Sequence, residues 1–374
     1  DAIVLFDGTE KSMTDNWVTV NMRTQEVAPA KWIVKDGAMT VNKDMRNGKN
    51  SKNTQNAMYE TFKKYFEHEY VGDKAQQLEE FFKDMFHYAK FYQRLIFTAA
   101  DKFEQLSALD RKFYELIYLL KAATAPIILM YLYDKYVRKN FDEQTFIKFV
   151  DALISFVFRA KVCSSNGIDD QLAGNIIYRL DKHETLNEEI FWQALTFGKG
   201  TYAFPRDEEF ISALKNSELY INLKADGCKY LLYSLEKFNG VNSLPDFSKT
   251  AVEHIIPPNP NKKWSAYLNA QNDLQNAELV TQTLGNLIVI VYAAKKEGDD
   301  FDKKKLHYIV SSFVYTRDVA KLANINSKQI LARAKKLANI AVQIWRLPDK
   351  YNEKIKILEQ IHTLDYENFK SFTN

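Results

Sequence analysis

Cysteine is nearly missing from this chain of 374 residues: Cys163 and Cys228 are its only two, far apart and without metal-ligand spacing. That pattern gives no disulfide framework and no zinc site, and a reducing, cytoplasmic setting is expected. Glycine (12) and proline (8) are scarce as well, which disfavours a loop-rich architecture. The longest apolar run, Ala122 to Tyr133 around Pro126, is too short to span a bilayer and reads as a buried, proline-kinked helix. The first residues lack the basic, apolar and small-residue succession of a secretory signal, so no membrane partner is expected. There is no glycine-rich phosphate loop and no repeat of fixed period. His68, His87, His183, His307 and His362 form no pair at metal-ligand spacing and read as surface or satisfied core positions.

What the chain does have is aromatic bulk, with 25 Phe and 21 Tyr, and long stretches of helical periodicity. Ser107 precedes Asp110 in a capping-box-like start, and Phe113, Leu116, Ile117 and Leu120 follow at the spacing of one helix face. Asp142 stands in the same relation to Phe146, Phe149, Val150, Leu153 and Val157. Such stripes are core, and no chemistry is assigned to them. The expected fold class is therefore mainly α. Residues 1–49 differ: Trp32 to Val41, with a turn at Asp36-Gly37, reads as a short hairpin, and a polar linker follows. The expected division is a β-rich segment over 1–49, a helical domain over 50–249, a small domain over 250–346, and a helical tail over 347–374.

Charge is distributed unevenly. Residues 250–346 carry 14 Lys and Arg against 8 Asp and Glu, a net of +6, whereas the whole chain nets +3. Concentrated basic charge is the footprint of contact with a phosphate backbone. In the same segment stand Glu253-His254-Ile255-Ile256-Pro257 and, about thirty residues on, Leu284-Gly285-Asn286-Leu287 opening the apolar run to Tyr292. An adjacent carboxylate and imidazole at a strand end can divide one task. Glu253 would hold a divalent cation while His254 activates water, the combination that cutting a phosphodiester requires. The bland alternatives are a strand end meeting a loop for Glu253 and His254, and a turn asparagine bonding its own backbone for Asn286.

These motifs, with Trp264, Phe301 and Lys304, Ile330 and Arg333, and Trp345, resemble the HNH-type (ββα-metal) nuclease domain at the C-terminus of GmrSD-type, modification-dependent restriction enzymes. The resemblance covers roughly residues 250–346. It implies a helical domain followed by a small ββα-metal domain that hydrolyses DNA, modified DNA included, with one Mg2+ or Mn2+ ion. Under it, Glu253 ligates the ion, His254 is the general base and Asn286 orients the histidine loop. The family's further ligand positions fall near Ala293 and Gly298, which donate nothing, so Glu297, Asp299 or Asp300 would have to substitute. Lys262, Lys263, Lys304 and Arg333 are the candidates for phosphate contact, with Lys304 read first as a solvated helix residue. The resemblance also implies a nucleotide-hydrolysing domain or subunit as partner. The departure at Ala293 supports the alternative of a catalytically inactive DNA-binding or assembly module. Separately, Leu5-Phe6-Asp7-Gly8 and Trp32 to Ala38 resemble the opening strands of keto-disaccharide-hydrolase-like jelly-roll proteins, giving carbohydrate hydrolysis or binding as a third reading.

Overall fold

The computed structural model describes residues 74–96, 105–198, 200–241, 243–291 and 300–357, together with four short strands ahead of them. The chain divides into two compact units, Asp1–Asp84 and Met85–Asn374, so neither expected boundary, at 49 or at 249, coincides with the division.

In the first unit, β1 (Val18–Val20) pairs antiparallel with β2 (Val27–Pro29), and β3 (Ile33–Lys35) with β4 (Ala38–Thr40). Lys35 lies opposite Ala38, as the expected hairpin requires. The turn residues Asp36 and Gly37, and the motif Leu5-Phe6-Asp7-Gly8, lie outside the described residues. Helix α1 (Lys74–Ile96) follows in the chain.

The second unit is mainly α, as expected. It holds α2 (Ala108–Tyr114), α3 (Ala125–Val137), α4 (Glu143–Val162), α5 (Asp170–Leu180), α6 (Glu188–Leu195), α7 (Asp207–Asn216) and α8 (Leu219–Phe238). The two read N-caps are present: Ser107 Oγ accepts from the Asp110 N–H at 3.1 Å, and Asp142 Oδ1 from the Thr145 N–H at 2.8 Å. Phe113, Leu116 and Leu120 are buried, as are Phe146, Phe149, Val150, Leu153 and Val157. One expectation fails. Pro126 does not kink a helix but stands in the first turn of α3, where its missing N–H has no partner to lose. Both cysteines are free, and burial pushes each thiol up to about 12. No helix among the described residues is long and apolar enough to cross a membrane.

After α8 comes a two-stranded antiparallel sheet of β5 (Thr250–His254) and β6 (Leu287–Val291), with Glu253 opposite Ile288 and His254 opposite Leu287. Between the strands lie α9 (Lys262–Asn269) and α10 (Leu274–Val280); after them come α11 (Phe301–Tyr308), α12 (Val314–Ala320) and α13 (Ser327–Ile344). Residues 349–357 are helical, and Tyr351 and Ile355 bury into the main core. The tail beyond them lies outside the described residues.

Alternation along β6 explains its unbroken apolar sequence. Leu287 and Val289 join the large core of the helical body, whereas Ile288 and Ile290 join a smaller one with Ile255, Ile256, Trp264, Phe301 and Ile330. A strand buried on both faces shows no polar alternation. The small sheet is thus one wall of both cores. The helical body is tied to it by α8, whose Lys229 Nζ donates to Phe247 O at 2.9 Å and Thr250 O at 3.2 Å. Arg159, fully buried on α4, donates to Trp345 O, Pro205 O and the Asp207 carboxylate at 2.7, 3.0 and 2.6 Å.

Candidate active site

Successive strand residues point to opposite faces of a sheet, and this decides where the Glu253-His254 pair goes. Glu253 shares the Ile288 side and meets α11. Lys304 Nζ stands 2.8 Å from Glu253 Oε1, and the Tyr308 hydroxyl donates to the same oxygen at 2.8 Å. Lys304 also donates to the backbone oxygens of His254 at 2.9 Å and Ile255 at 3.3 Å, with its ammonium 5.8 Å from the centroid of the Trp264 ring. Glu253 and Lys304 are 7% and 6% exposed. Lys304 is therefore not the solvated helix residue its sequence context indicated. Spaced three and four apart, Phe301, Lys304 and Tyr308 share the face of α11 that packs under β5. In this arrangement the Lys304 ammonium serves Glu253 and two carbonyls, not a phosphate. Burial, then the Glu253 charge, holds the Tyr308 phenol well above its usual range.

His254 turns the other way, toward the helical body, and is half-buried. Its Nε2 lies 3.3 Å from Gln282 Oε1, and the Tyr220 ring meets it edge-on at 4.5 Å between centroids. Asn286 is fully buried and acts on the chain just past His254. Its Oδ1 accepts from the Ile256 N–H at 2.8 Å, and its Nδ2 donates to Ile256 O and Thr281 O, both at 2.8 Å. Its carbonyl oxygen accepts the Ile255 N–H at 2.9 Å. Asn286 thus fastens the two residues that follow His254. It also bonds the backbone five residues back, at Thr281 O.

The Leu-Gly-Asn-Leu motif and the α13 pair Ile330 and Arg333 belong to one contact. A Cβ on Gly285 would lie 2.0 Å from Ile330 O, so only glycine lets the helix backbone come so close. Arg333 Nη1 donates to Gly285 O at 2.8 Å, Leu287 O at 2.9 Å and Leu284 O at 3.3 Å. Read as a phosphate contact, Arg333 is instead the clamp of this turn; burial pulls its guanidinium down to about 10, still cationic at neutral pH. On α13, Ile330, Ala334, Leu337, Ala338 and Ala341 are buried, while Leu331 is exposed.

Of the other sequence candidates, Lys262 and Lys263 are exposed in the first turn of α9, open to a phosphate. Asp300 Oδ1 accepts from the Lys303 N–H at 3.0 Å and caps α11. Asp299, with Ala293, Glu297 and Gly298, lies outside the described residues. Glu253, His254 and Asn286 occupy one end of the hairpin, but their side chains do not converge on a common point: one faces α11, one faces α8 and Gln282, and one faces backbone. Among the described residues no three His, Cys, Asp or Glu side chains gather as a metal site would need. Glu253 already has a cation at hydrogen-bonding distance. The described residues, as arranged, do not fit a divalent ion.

Sequence reading missed Tyr308, Gln282 and Tyr220. Tyr308 was detectable as the residue four beyond Lys304 on one helix face. Nothing in the sequence marked Gln282 or Tyr220, because their meeting with His254 joins α8 to a loop some sixty residues later.

No curated protein matches this chain. Residues 204–340, from the residue that opens the approach to α7 through most of α13, match the model of the family described as GmrSD restriction endonucleases, C-terminal domain, which bears out the resemblance read from the motifs and carries it upstream into the helical body.

Proposed function

We propose that this chain is a DNA endonuclease of restriction type in which His254 is the general base. The observation that carries the reading is a half-buried imidazole at the end of a strand, with the backbone that follows it fastened by the fully buried Asn286. Histidine suits this task because its unperturbed pKa, about 6.5, lies near neutral pH. His254 takes a proton from water as the water oxygen bonds to phosphorus. The bond from phosphorus to the leaving sugar oxygen then breaks, and that oxygen takes a proton from solvent. Exposed Lys262 and Lys263, in a segment of net +6, supply charge for the DNA backbone. No step is routed through a divalent ion, since the described carboxylates do not fit one.

The Glu253–Lys304 pair favours a second reading, a DNA-binding or assembly module without cleavage. A plasmid-nicking assay with Mg2+, Mn2+ and chelator, on modified and unmodified DNA, separates the two. The expected result is nicking by the intact chain and at least a hundredfold loss in His254→Ala, the scale of a removed general base. Equal nicking by His254→Ala would end the catalytic assignment, and DNA retention without any nicking would establish the second reading.

A further inference from the structure

The ammonium of Lys304 stands among oxygens of the kind that hold a hard cation. Its Nζ is 2.8 Å from Glu253 Oε1, 2.9 Å from His254 O and 3.3 Å from Ile255 O. A carboxylate and backbone carbonyls are also what calcium or magnesium takes as ligands. Glu253 Oε1 has a second donor besides, the Tyr308 hydroxyl at 2.8 Å. Glu253, Lys304, Tyr308 and the neighbouring Phe301 are all buried. The place where a cation is wanted already has one, and it is covalently attached to α11.

We infer that the Lys304 ammonium is the resident cation of this hairpin, serving Glu253 in place of the divalent ion that the family resemblance implies, so that Glu253 ligates no metal in this chain. A divalent ion at Glu253 would meet like charge on an ammonium within hydrogen-bonding distance of the same oxygen. Oε1 would also have to release the Tyr308 hydroxyl. Magnesium keeps several of its waters, and a carboxylate this deeply enclosed gives them little access. Lys304 is not free to swing into water, because it issues from the α11 face that also carries buried Phe301 and Tyr308. The ammonium draws one carboxylate and two successive carbonyls to a single point, the organising work a bound ion would perform there. The inference concerns metal binding alone and holds whether or not the chain cuts DNA.

The test counts Mn2+ ions bound to the full chain by electron paramagnetic resonance, in wild type, Lys304→Ala and Glu253→Gln/Lys304→Met. Wild type and the double variant should bind the same number of ions with the same affinity, since Glu253 is a ligand in neither. Lys304→Ala removes the ammonium and leaves space beside the carboxylate, and it should bind one ion more. That ion should raise the melting temperature of Lys304→Ala, followed by circular dichroism, further than Mn2+ raises that of the other two forms. An ion bound by wild type and lost in the double variant overturns the inference, because Glu253 would then be a ligand beside Lys304. A folded Lys304→Ala that gains no ion overturns it as well, because the ammonium would then be keeping no ion out. Where Lys304→Ala does not fold, the comparison of wild type with the double variant decides alone. Nicking does not enter the readout, so a failure here and a failure of the nuclease reading are told apart.

Discussion

Placing an ammonium and a carboxylate in a protein interior is costly unless each finds partners. Lys304 and Glu253 do so through four contacts: the ion pair itself, the Tyr308 hydroxyl and the oxygens of His254 and Ile255. Because Lys304 holds two successive carbonyls at the end of β5, it fixes the backbone of His254 from below while Asn286 fixes the following residues from the side. Replacing only the lysine leaves Glu253 buried and unpaired. Lys304→Met should therefore destabilise the fold by about 3 kcal/mol, the lower end of the range for breaking a buried pair. In Glu253→Gln/Lys304→Met, most of that loss should return. Urea denaturation of the two variants checks this, and a double variant no more stable than Lys304→Met would show that the pair carries no coupling. The same contacts show why residue type alone misplaced Lys304: a lysine three positions into a short helix reads as surface until the helix is known to lie beneath a buried carboxylate.

At the scale of elements, the turn at Leu284–Asn286 is the joint on which the small domain is assembled. It ends α10's connection, starts β6, receives α13 on Gly285 and gives its carbonyls to Arg333. Backbone contact at that distance has no room for a methyl group. Gly285→Ala should push α13 away from the turn and cost about 3 kcal/mol, the upper part of the range for overpacking a filled core. A fall in melting temperature measured by circular dichroism would record it, and an unchanged melting curve would show that the contact is not close in solution. Helix α12 is held by a comparable device. The buried Glu236 carboxylate on α8 accepts the Val314 and Tyr315 N–H groups, each at 2.8 Å, at the start of that helix. Both joints connect residues that no local pattern relates.

Across the molecule, residues 250–346 pack within the single compact unit that runs from Met85 onward. Leu284, Leu287, Val289, Leu337 and Trp345 are core residues of the helical body. Trp345 stacks on Phe158 at 4.0 Å, and its indole N–H donates to the Tyr230 hydroxyl at 3.3 Å. A fragment of residues 250–346 would expose that whole face to water. At roughly 1.5–3 kcal/mol for each large side chain uncovered, the loss from five such residues is about 8–15 kcal/mol, as large as the net stability of about 5–15 kcal/mol that an ordinary domain possesses. We expect the fragment to lack the dispersed amide proton spectrum of a folded protein, and the segment from Met85 to Ile357 to show one. A well-dispersed spectrum from the fragment would overturn the single-unit account.

The amino-acid sequence by itself determined the mainly helical class, the caps at Ser107 and Asp142, the burial of Phe113, Leu116 and Leu120 and of the stripe of α4, and the kinship of the hairpin region, because each depends on residues close together in the chain or on a spaced motif. Capping and periodicity are local physics, and a motif keeps its spacing whatever surrounds it. Only the tertiary structure decided what the motif's side chains do. Strand alternation sends Glu253 toward Lys304 and Tyr308 and His254 toward Gln282 and Tyr220, while Gly285 and Arg333 serve α13 and its turn. Partners fifty or thirty residues away meet only when two cores close on the faces of one strand, and the direction in which a charged side chain then points is set by what is packed there.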